Sequence, residues 1–382
     1  MRALSALLAA ALCLSVATGR ALALPTMVRL GYTNCAACHI SPQGGGLLNL
    51  YGMGIDQAQS LRGGEYEASE SPWVNALSWG GRITQDVRAI IQEQATSTTD
   101  QAGTDFLRSR FMYRNATELG KGWRFSFVGT GENFDVLRPK LAYESPSKSA
   151  SFFVNSALVS YRASKNLEIA VGRDQLPGGI NVPDLSFFIK TRNRLGYYDS
   201  PTQVKLFWWG KRYHINPYAF GPGGNEPSGQ HESGGGAIAE FDVLAKQRTV
   251  VGVNALRGST AIGDRRLIGP YVRLGFGKWG ILAEHDITDR SSKTGSFTAF
   301  RQSASYGQVF WAAREWLVAS VIGERLRVGA PFEERLVGGR LELNARLASQ
   351  VSIGASARLQ RNETNGRIGR TIMLQMTFKT VN

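Results

Sequence analysis

The feature that most constrains the fold is a two-residue alternation that recurs along most of the chain. Between residues 337 and 347 the odd-numbered positions are apolar or glycine, whereas the even-numbered ones include Arg340, Glu342 and Arg346. Residues 351–360 repeat the pattern. Because successive side chains of a β-strand point to opposite faces, this period predicts strands with one apolar and one polar face.

Two folds accommodate such strands. In a soluble sandwich the apolar faces point inward, whereas in a transmembrane barrel they face lipid and the polar faces line a lumen. The alternating segments number about 14–18, at lengths that suit barrel strands of roughly 9–11 residues. Aromatic residues lie near segment ends, as the interfacial girdles of a barrel do, at Phe207-Trp208-Trp209, Tyr197-Tyr198 and Trp311. We therefore predict an all-β fold, an antiparallel transmembrane β-barrel of about 16 strands, over residues 73–382.

The end of the chain supports the barrel, because one face of the last segment carries Ile372, Leu374, Met376 and Phe378. This face resembles the closing strand of bacterial outer-membrane proteins, although residues 379–382 follow the late aromatic. Two glycine-containing stretches, residues 176–198 and 221–236, are predicted to be outer loops or a loop that constricts the lumen. His231 and Glu232 in the second stretch are predicted to be solvated.

The N-terminus predicts export. Arg2 is followed by an apolar run over residues 3–16 and by Ala21-Leu22-Ala23, the small-x-small form of a signal-peptidase site, so residues 1–23 are predicted to be a signal peptide. No later segment has the roughly 20 apolar residues that a membrane-spanning helix needs. The formal net charge of +14 suits an anionic surface or an anion-selective channel, whereas export argues against nucleic acid as a partner.

A Cys-x-x-Cys-His motif follows the signal peptide at Cys35, Cys38 and His39. Such a cysteine pair can be a disulfide, a metal half-site, a redox dithiol or a covalent haem attachment. The histidine favours haem, because two thioethers on one edge of a porphyrin place the next residue within reach of the iron. A second zinc-ligand pair and a thioredoxin-like strand and helix pattern are both missing. We predict one c-type haem attached through Cys35 and Cys38, with His39 as its proximal iron ligand.

The sixth ligand of the iron has two candidate thioethers, Met53 and Met27. An open or water-bound coordination position is the alternative. The other imidazoles, His214, His231 and His285, are interpreted as surface or loop residues. The predicted haem segment, residues 24–72, is too short to form a large core, so it needs its cofactor or a neighbouring wall. Four residues are predicted to cover the haem face: Leu47, Leu48, Leu50 and Tyr51.

Local detail around the motif points to a family. Pro25-x-Met27-Val28-Arg29 precedes Cys35, and a Leu-x-x-Tyr-Gly run ends at Gly52. Together with one haem motif joined directly to a barrel, this resembles the fused monohaem cytochrome c–porin family of bacteria that exchange electrons with the outside of the cell. The chain differs from that family in having Met27 where the family has phenylalanine, and in the glycine triplet at residues 44–46.

The resemblance implies an outer-membrane electron conduit, with the haem segment in the lumen or at its periplasmic side and outer-membrane lipid around the barrel. Single electrons would pass between an extracellular donor or acceptor, iron among them, and a periplasmic cytochrome or other redox carrier. A porin-like transport channel with a structural or redox-gating haem plug is the alternative. The sequence contains no phosphate loop and no nucleophile elbow, so no motif indicates hydrolytic chemistry. We predict a basic lumen from Arg82, Arg88, Arg340 and Arg358. Such a lumen suits anionic chelates or haem propionates better than free ferrous iron.

Overall fold

The computed structural model describes residues 25–32, 34–44, 47–63, 76–99, 101–136, 150–182, 186–196, 200–223, 231–244, 248–348 and 350–380. The predicted signal peptide, the domain boundaries at residues 24 and 72–73, and the aromatic pair Tyr197-Tyr198 lie outside these ranges.

Within these ranges, sixteen antiparallel strands form one closed barrel. Each strand pairs with its neighbours in sequence, and β1 pairs with β16 from Arg88 opposite Lys379 to Thr98 opposite Gly369. The predicted fold class and the favoured strand number are confirmed. The strands are β1 (Ile83–Thr98), β2 (Gln101–Gly120), β3 (Trp123–Val136), β4 (Ala150–Ser164), β5 (Leu167–Arg173), β6 (Thr202–Trp209), β7 (Tyr213–Gly221), β8 (Ser233–Asp242), β9 (Thr249–Ser259), β10 (Gly263–Phe276), β11 (Trp279–Ser292), β12 (Phe300–Arg314), β13 (Leu317–Val328), β14 (Arg335–Ala348), β15 (Val351–Asn362) and β16 (Ile368–Lys379).

Short helical elements lie before the first strand and between two of the strands. Helix α1 (Leu50–Ala58) and helix α2 (Phe188–Thr191) accompany two 3-10 turns, Pro25–Leu30 and Cys35–Ala37. Among the residues described, no helix is long and apolar enough to cross a membrane.

The alternation decides between the two predicted folds. In β14, Leu341 is 61% exposed and Leu343 is 46% exposed, whereas Arg340 and Arg346 are buried inside the barrel. The apolar side chains therefore cover the outside and the polar side chains face the lumen. A soluble sandwich would have the reverse arrangement, because its apolar faces pack on each other.

Two aromatic pairs lie on the outer face near one end of the barrel. The rings of Trp123 and Tyr161 lie 4.8 Å apart, and those of Trp279 and Trp311 lie 5.8 Å apart. All four side chains are exposed. This arrangement is expected of an interfacial girdle, where one ring edge is apolar and the other meets water.

The aromatic triplet in β6 only partly belongs to this girdle. Trp208 is 44% exposed on the outer face, but Phe207 and Trp209 are buried and face inward. Placing all three in the girdle was wrong, because neighbouring residues of a strand must point to opposite faces. The two inward rings stack on each other with centroids 6.1 Å apart.

The two ends of the barrel differ in their connections. At one end Lys121 and Gly122 join β2 to β3, and Gly277 and Lys278 join β10 to β11. At the other end residues 174–201 join β5 to β6. Outer-membrane barrels have short periplasmic turns and longer extracellular loops, so we expect the short-turn end to be the periplasmic end.

The described residues of this loop, 174–182 and 186–196, fold into the lumen. The backbone N–H of Ile180 donates to Glu284 Oε2 at 2.7 Å, and the Asn193 amide donates to Asp286 Oδ2 at 2.6 Å. Ile180 and Phe187 belong to a buried apolar cluster with wall residues of β10 to β14. The loop that was predicted as an outer or constricting loop is therefore a constricting one.

The second predicted loop is shorter than residues 221–236. Gly234 to Gly236 belong to β8, where a Cβ at Gly236 would lie 2.6 Å from Tyr218 Oη. Glu232 is not simply solvated, since it pairs with Arg265 at 2.7 Å, whereas His231 is exposed as predicted.

The N-terminal residues occupy the short-turn end of the lumen. Arg29 pairs with Glu315, in the turn between β12 and β13, at 2.7 Å. Asp56 on α1 lies 3.4 Å from Lys379 Nζ, and the Leu61 N–H donates to the Arg346 carbonyl at 2.9 Å. Gln43 contacts Lys205 on β6, across the barrel from β14. We call the described part of residues 25–63 the plug, because its contacts reach the inner wall on opposite sides of the barrel.

Candidate functional site

The Cys-x-x-Cys-His motif forms one tight turn within the plug. Asn34 caps the 3-10 turn by accepting a hydrogen bond from the Ala36 N–H at 2.9 Å. The His39 N–H donates to the Cys35 carbonyl at 3.0 Å. Cys35 and Cys38 are both free thiols, so the disulfide alternative is not formed in this arrangement.

Helix α1 is clamped directly against the motif. The Asn49 N–H donates to the Cys38 carbonyl at 2.9 Å, and the Asn49 side chain both caps α1 through the Gly52 N–H and donates to the Ala37 carbonyl at 3.1 Å. A Cβ at Gly52 would lie 2.1 Å from the Cys38 oxygen. The glycine of the Leu-x-x-Tyr-Gly run therefore allows helix and motif to touch.

The two candidate thioethers are placed differently. Met53 is buried in one cluster with Cys38 and Leu48. Met27 lies in the first 3-10 turn, where its carbonyl accepts a hydrogen bond from the Tyr32 N–H at 3.3 Å. The described contacts thus bring Met53 to the motif, while its role as an iron ligand stays a prediction.

The surroundings of the motif fit a c-type haem. Leu47 and Leu48 are buried, but Leu50 and Tyr51, close to Cys38 in the fold, are exposed by 72% and 54%. These two side chains present apolar surface on which a flat macrocycle could lie. Burial raises the pKa of both thiols, which disfavours the thiolates that zinc requires.

A tyrosine pair stands at the edge of this surface. The hydroxyl oxygens of Tyr32 and Tyr51 lie 2.5 Å apart, and Tyr32 packs against the Cys38 cluster. The hydrogen bond with Tyr51 and, secondarily, burial raise the pKa of Tyr32 to about 12. The Tyr32 phenol is therefore protonated at neutral pH.

The barrel wall forms the other side of the site. Ala36 packs against the inward rings of Phe207 and Trp209 on β6. On β8 and β10, Glu240 pairs with Arg273 at 2.7 Å, and Arg273 interacts with the Cys35 thiol. The motif is thus held by an aromatic face and by an ion pair.

Deeper in the lumen, the plug meets the constricting loop. Gln43 accepts a hydrogen bond from the buried Lys205 ammonium and donates to the Gln175 carbonyl at 3.3 Å. Lys205 also pairs with Asp174 at 2.5 Å. The plug therefore contacts both the wall and the loop that narrows the lumen.

The predicted basic lumen is only partly present. Arg88, Arg340 and Arg358 face inward, but each has an acidic neighbour: Asp86 at 4.0 Å, Glu342 at 3.2 Å and Glu324 respectively. The placement of Arg82 in the lumen was wrong. It precedes β1, is exposed, and stacks on the Trp79 ring at 5.3 Å.

Comparison with solved structures places the fold among the outer-membrane porins. The chain is similar to OprB of Pseudomonas putida (TM-score 0.58, 8% identity, covering 83% of this chain and 100% of that one). It is also similar to a loop L8 deletion mutant of OmpT of Vibrio cholerae (TM-score 0.55, 10% identity, covering 78% of this chain and 100% of that one). An anion-selective porin from Comamonas acidovorans gives 0.54 at 10% identity, again covering 78% and 100%. At these identities the likeness concerns the fold.

No protein-family model matches the chain, and no curated protein matches it. The predicted family is therefore supported in its porin part, and its cytochrome part stays a prediction.

Several wall residues at the site were not predicted from the sequence. Trp209, Glu240 and Arg273 meet at the motif although they lie on β6, β8 and β10. His214, interpreted as a surface or loop residue, is largely buried beside Glu240. His285 does lie on the outer face, where Nδ1 is 2.8 Å from Ser305 Oγ. The alternation along each strand indicates which of its residues face inward. The sequence does not indicate which strands contact the plug.

Proposed function

We propose that the protein is a porin-like channel of the outer membrane whose lumen is closed by its own haem-bearing plug. The observation that carries this proposal is the attachment of the Cys-x-x-Cys-His segment to the inner wall by Arg29, Asp56 and Gln43. A bound haem would supply one-electron redox chemistry. Cys35 and Cys38 would hold it covalently, His39 would bind its iron, and Leu50 and Tyr51 would exclude water from one face.

The plug's own residues determine whether the lumen is open. Asp56 is buried between Lys379 at 3.4 Å and Arg346 at 3.6 Å. Removing one partner of a buried ion pair typically costs about 3–5 kcal/mol, because the remaining charges stay buried. The link between α1 and the strands β14 and β16 is therefore the contact whose loss would most readily release the plug.

We expect Asp56→Asn to raise the ion conductance of the protein in planar bilayers, because Lys379 and Arg346 lose their shared carboxylate. The matched control is Asp289→Asn, which removes an exposed pair with Arg301 at 2.6 Å near the opposite end. The control should conduct as poorly as the wild type. A wild-type protein that conducts as freely as the Asp56 variant would contradict a closed lumen. A redox gate further requires conductance to change when the haem is reduced.

The electron conduit is the second candidate, and the charge of the short turns favours it. Lys165, Lys211, Arg212 and Lys278 are exposed in turns that follow β4, β6 and β10, and Arg248 lies in the turn after β8. This arc borders the wall section that holds the motif. Such a surface suits an acidic, soluble periplasmic redox carrier, because opposite charges steer association.

Sealed liposomes separate the two candidates. An electron donor is trapped inside and an impermeant ferric chelate is supplied outside. A conduit reduces the chelate without passing ions, whereas a channel with a gating plug passes ions when opened and reduces nothing while sealed. Reduction that persists after Cys35 and Cys38 are both replaced would contradict the conduit.

A further inference from the structure

The inner wall beside the motif carries an imidazole with the surroundings of a metal ligand. His214 is the second residue of β7, and its side chain is only 17% exposed. Nδ1 lies 3.7 Å from Glu240 Oε2. Nε2 is buried and has no hydrogen-bond partner in the part of the chain that is described.

The Glu240 carboxylate lies on the side of the ring where a metal-binding histidine has its carboxylate, at 3.7 Å, a contact longer than a hydrogen bond. A ligating imidazole directs one ring nitrogen to a carboxylate and the other to the metal, and the carboxylate fixes the ring and raises its basicity. A buried ring nitrogen without a partner is costly unless a ligand binds it. Glu240 is itself held by Tyr271 Oη at 2.7 Å and by Arg273 at 2.7 Å.

Two aromatic rings also stack against the His214 imidazole. Its centroid lies 5.8 Å from that of Trp209 and 6.3 Å from that of Phe207, and the planes are within 17° of parallel. Ala36, between the two cysteines, packs against the same Phe207 and Trp209 cluster. His214 is therefore one side chain away from the haem motif.

A second set of contacts leads from His214 to the motif. Arg273, which pairs with Glu240, interacts with the Cys35 thiol. The imidazole is thus connected to the haem-attachment turn through the ion pair as well as through the aromatic face. No other histidine combines these features, since His285 lies on the outer surface and His231 is exposed.

We propose that His214 of the barrel wall is the sixth ligand of the haem iron, opposite His39 of the plug. The proposal rests on the proposed function, because it requires haem attached to Cys35 and Cys38. Met53 then acts as a core residue, consistent with its packing against Cys38 and Leu48. An iron–imidazole bond from β7 would also fasten the plug to the barrel. Two imidazoles give a lower potential than histidine with methionine.

Absorption and electron paramagnetic resonance spectra of the ferric holo-protein test this assignment. We expect low-spin haem without the weak red charge-transfer band of a methionine ligand. His214→Ala should become high-spin, and added imidazole should restore the low-spin spectrum by occupying the vacated position. Met53→Leu should keep the wild-type spectrum. The matched control, His285→Ala, removes an outer-surface imidazole and should change nothing.

A second variant covers the case in which His214→Ala does not fold. Glu240→Gln keeps the imidazole but removes the charge beside it, so we expect a higher haem potential than in the wild type. An unchanged potential in this variant would overturn the proposal. So would a His214→Ala protein that stays low-spin while Met53→Leu turns high-spin. A preparation without any covalent haem would instead contradict the proposed function.

Discussion

Replacing both Cys35 and Cys38 by alanine is expected to abolish covalent haem while leaving the barrel intact. The two thiols are the only groups in the described chain that can form thioethers with a porphyrin. Neither lies in a strand. The measurement is the absorbance of the pyridine complex of haem per mole of purified protein, with barrel folding followed by heat-modifiable migration on gels.

The single variants provide the control for this experiment. Cys35→Ala and Cys38→Ala each retain one thioether, so both should keep some covalent haem, with a shifted spectrum because one vinyl group stays unsaturated. Equal haem content in the double variant and the wild type would contradict attachment at this motif. Loss of the barrel in the double variant would contradict the independence of the wall from the plug.

Replacing Gly52 by alanine is expected to separate α1 from the motif. The added Cβ would lie 2.1 Å from the Cys38 carbonyl oxygen, which already accepts the Asn49 N–H. Overpacking of this kind costs about 1–3 kcal/mol. Hydrogen exchange at the Asn49 amide should accelerate accordingly, since local opening free energy governs exchange.

Gly54→Ala is the matched control, because it lies on the same helix and a Cβ there meets no heavy atom within 4 Å among the residues described. Alanine is favoured over glycine in a helix by about 1 kcal/mol. Exchange at Asn49 should therefore be unchanged or slower. Faster exchange in this control, or unchanged exchange in Gly52→Ala, would contradict the packing of α1 on the motif.

The barrel could be predicted because its signal is local. The alternation in residues 337–347 and 351–360 determines which side chains share a face, and counting such segments gave the favoured strand number. The same rule, applied residue by residue, would have placed Trp208 outside and Phe207 and Trp209 inside.

The motif could be predicted, but its surroundings could not. Cys35, Cys38 and His39 are adjacent in sequence, and their spacing alone indicates the chemistry. Glu240 and Arg273 meet Cys35 only because β8 and β10 curve around the lumen where the plug lies. The sequence predicts His214 to be a loop or surface residue, because nothing local distinguishes an inward histidine beside a carboxylate. Arg82 was misplaced because β1 begins one residue later.

The plug lies inside the barrel at its short-turn end, and a zero-length cross-link can test this placement. Carbodiimide treatment of the folded protein, followed by digestion and mass spectrometry, should join Asp56 to Lys379, whose charged atoms are 3.4 Å apart. The link should disappear in Lys379→Arg, which keeps the charge but forms no amide. If the Asp56 peptide of a folded barrel is linked to residues outside the lumen instead, the plug does not lie inside the barrel.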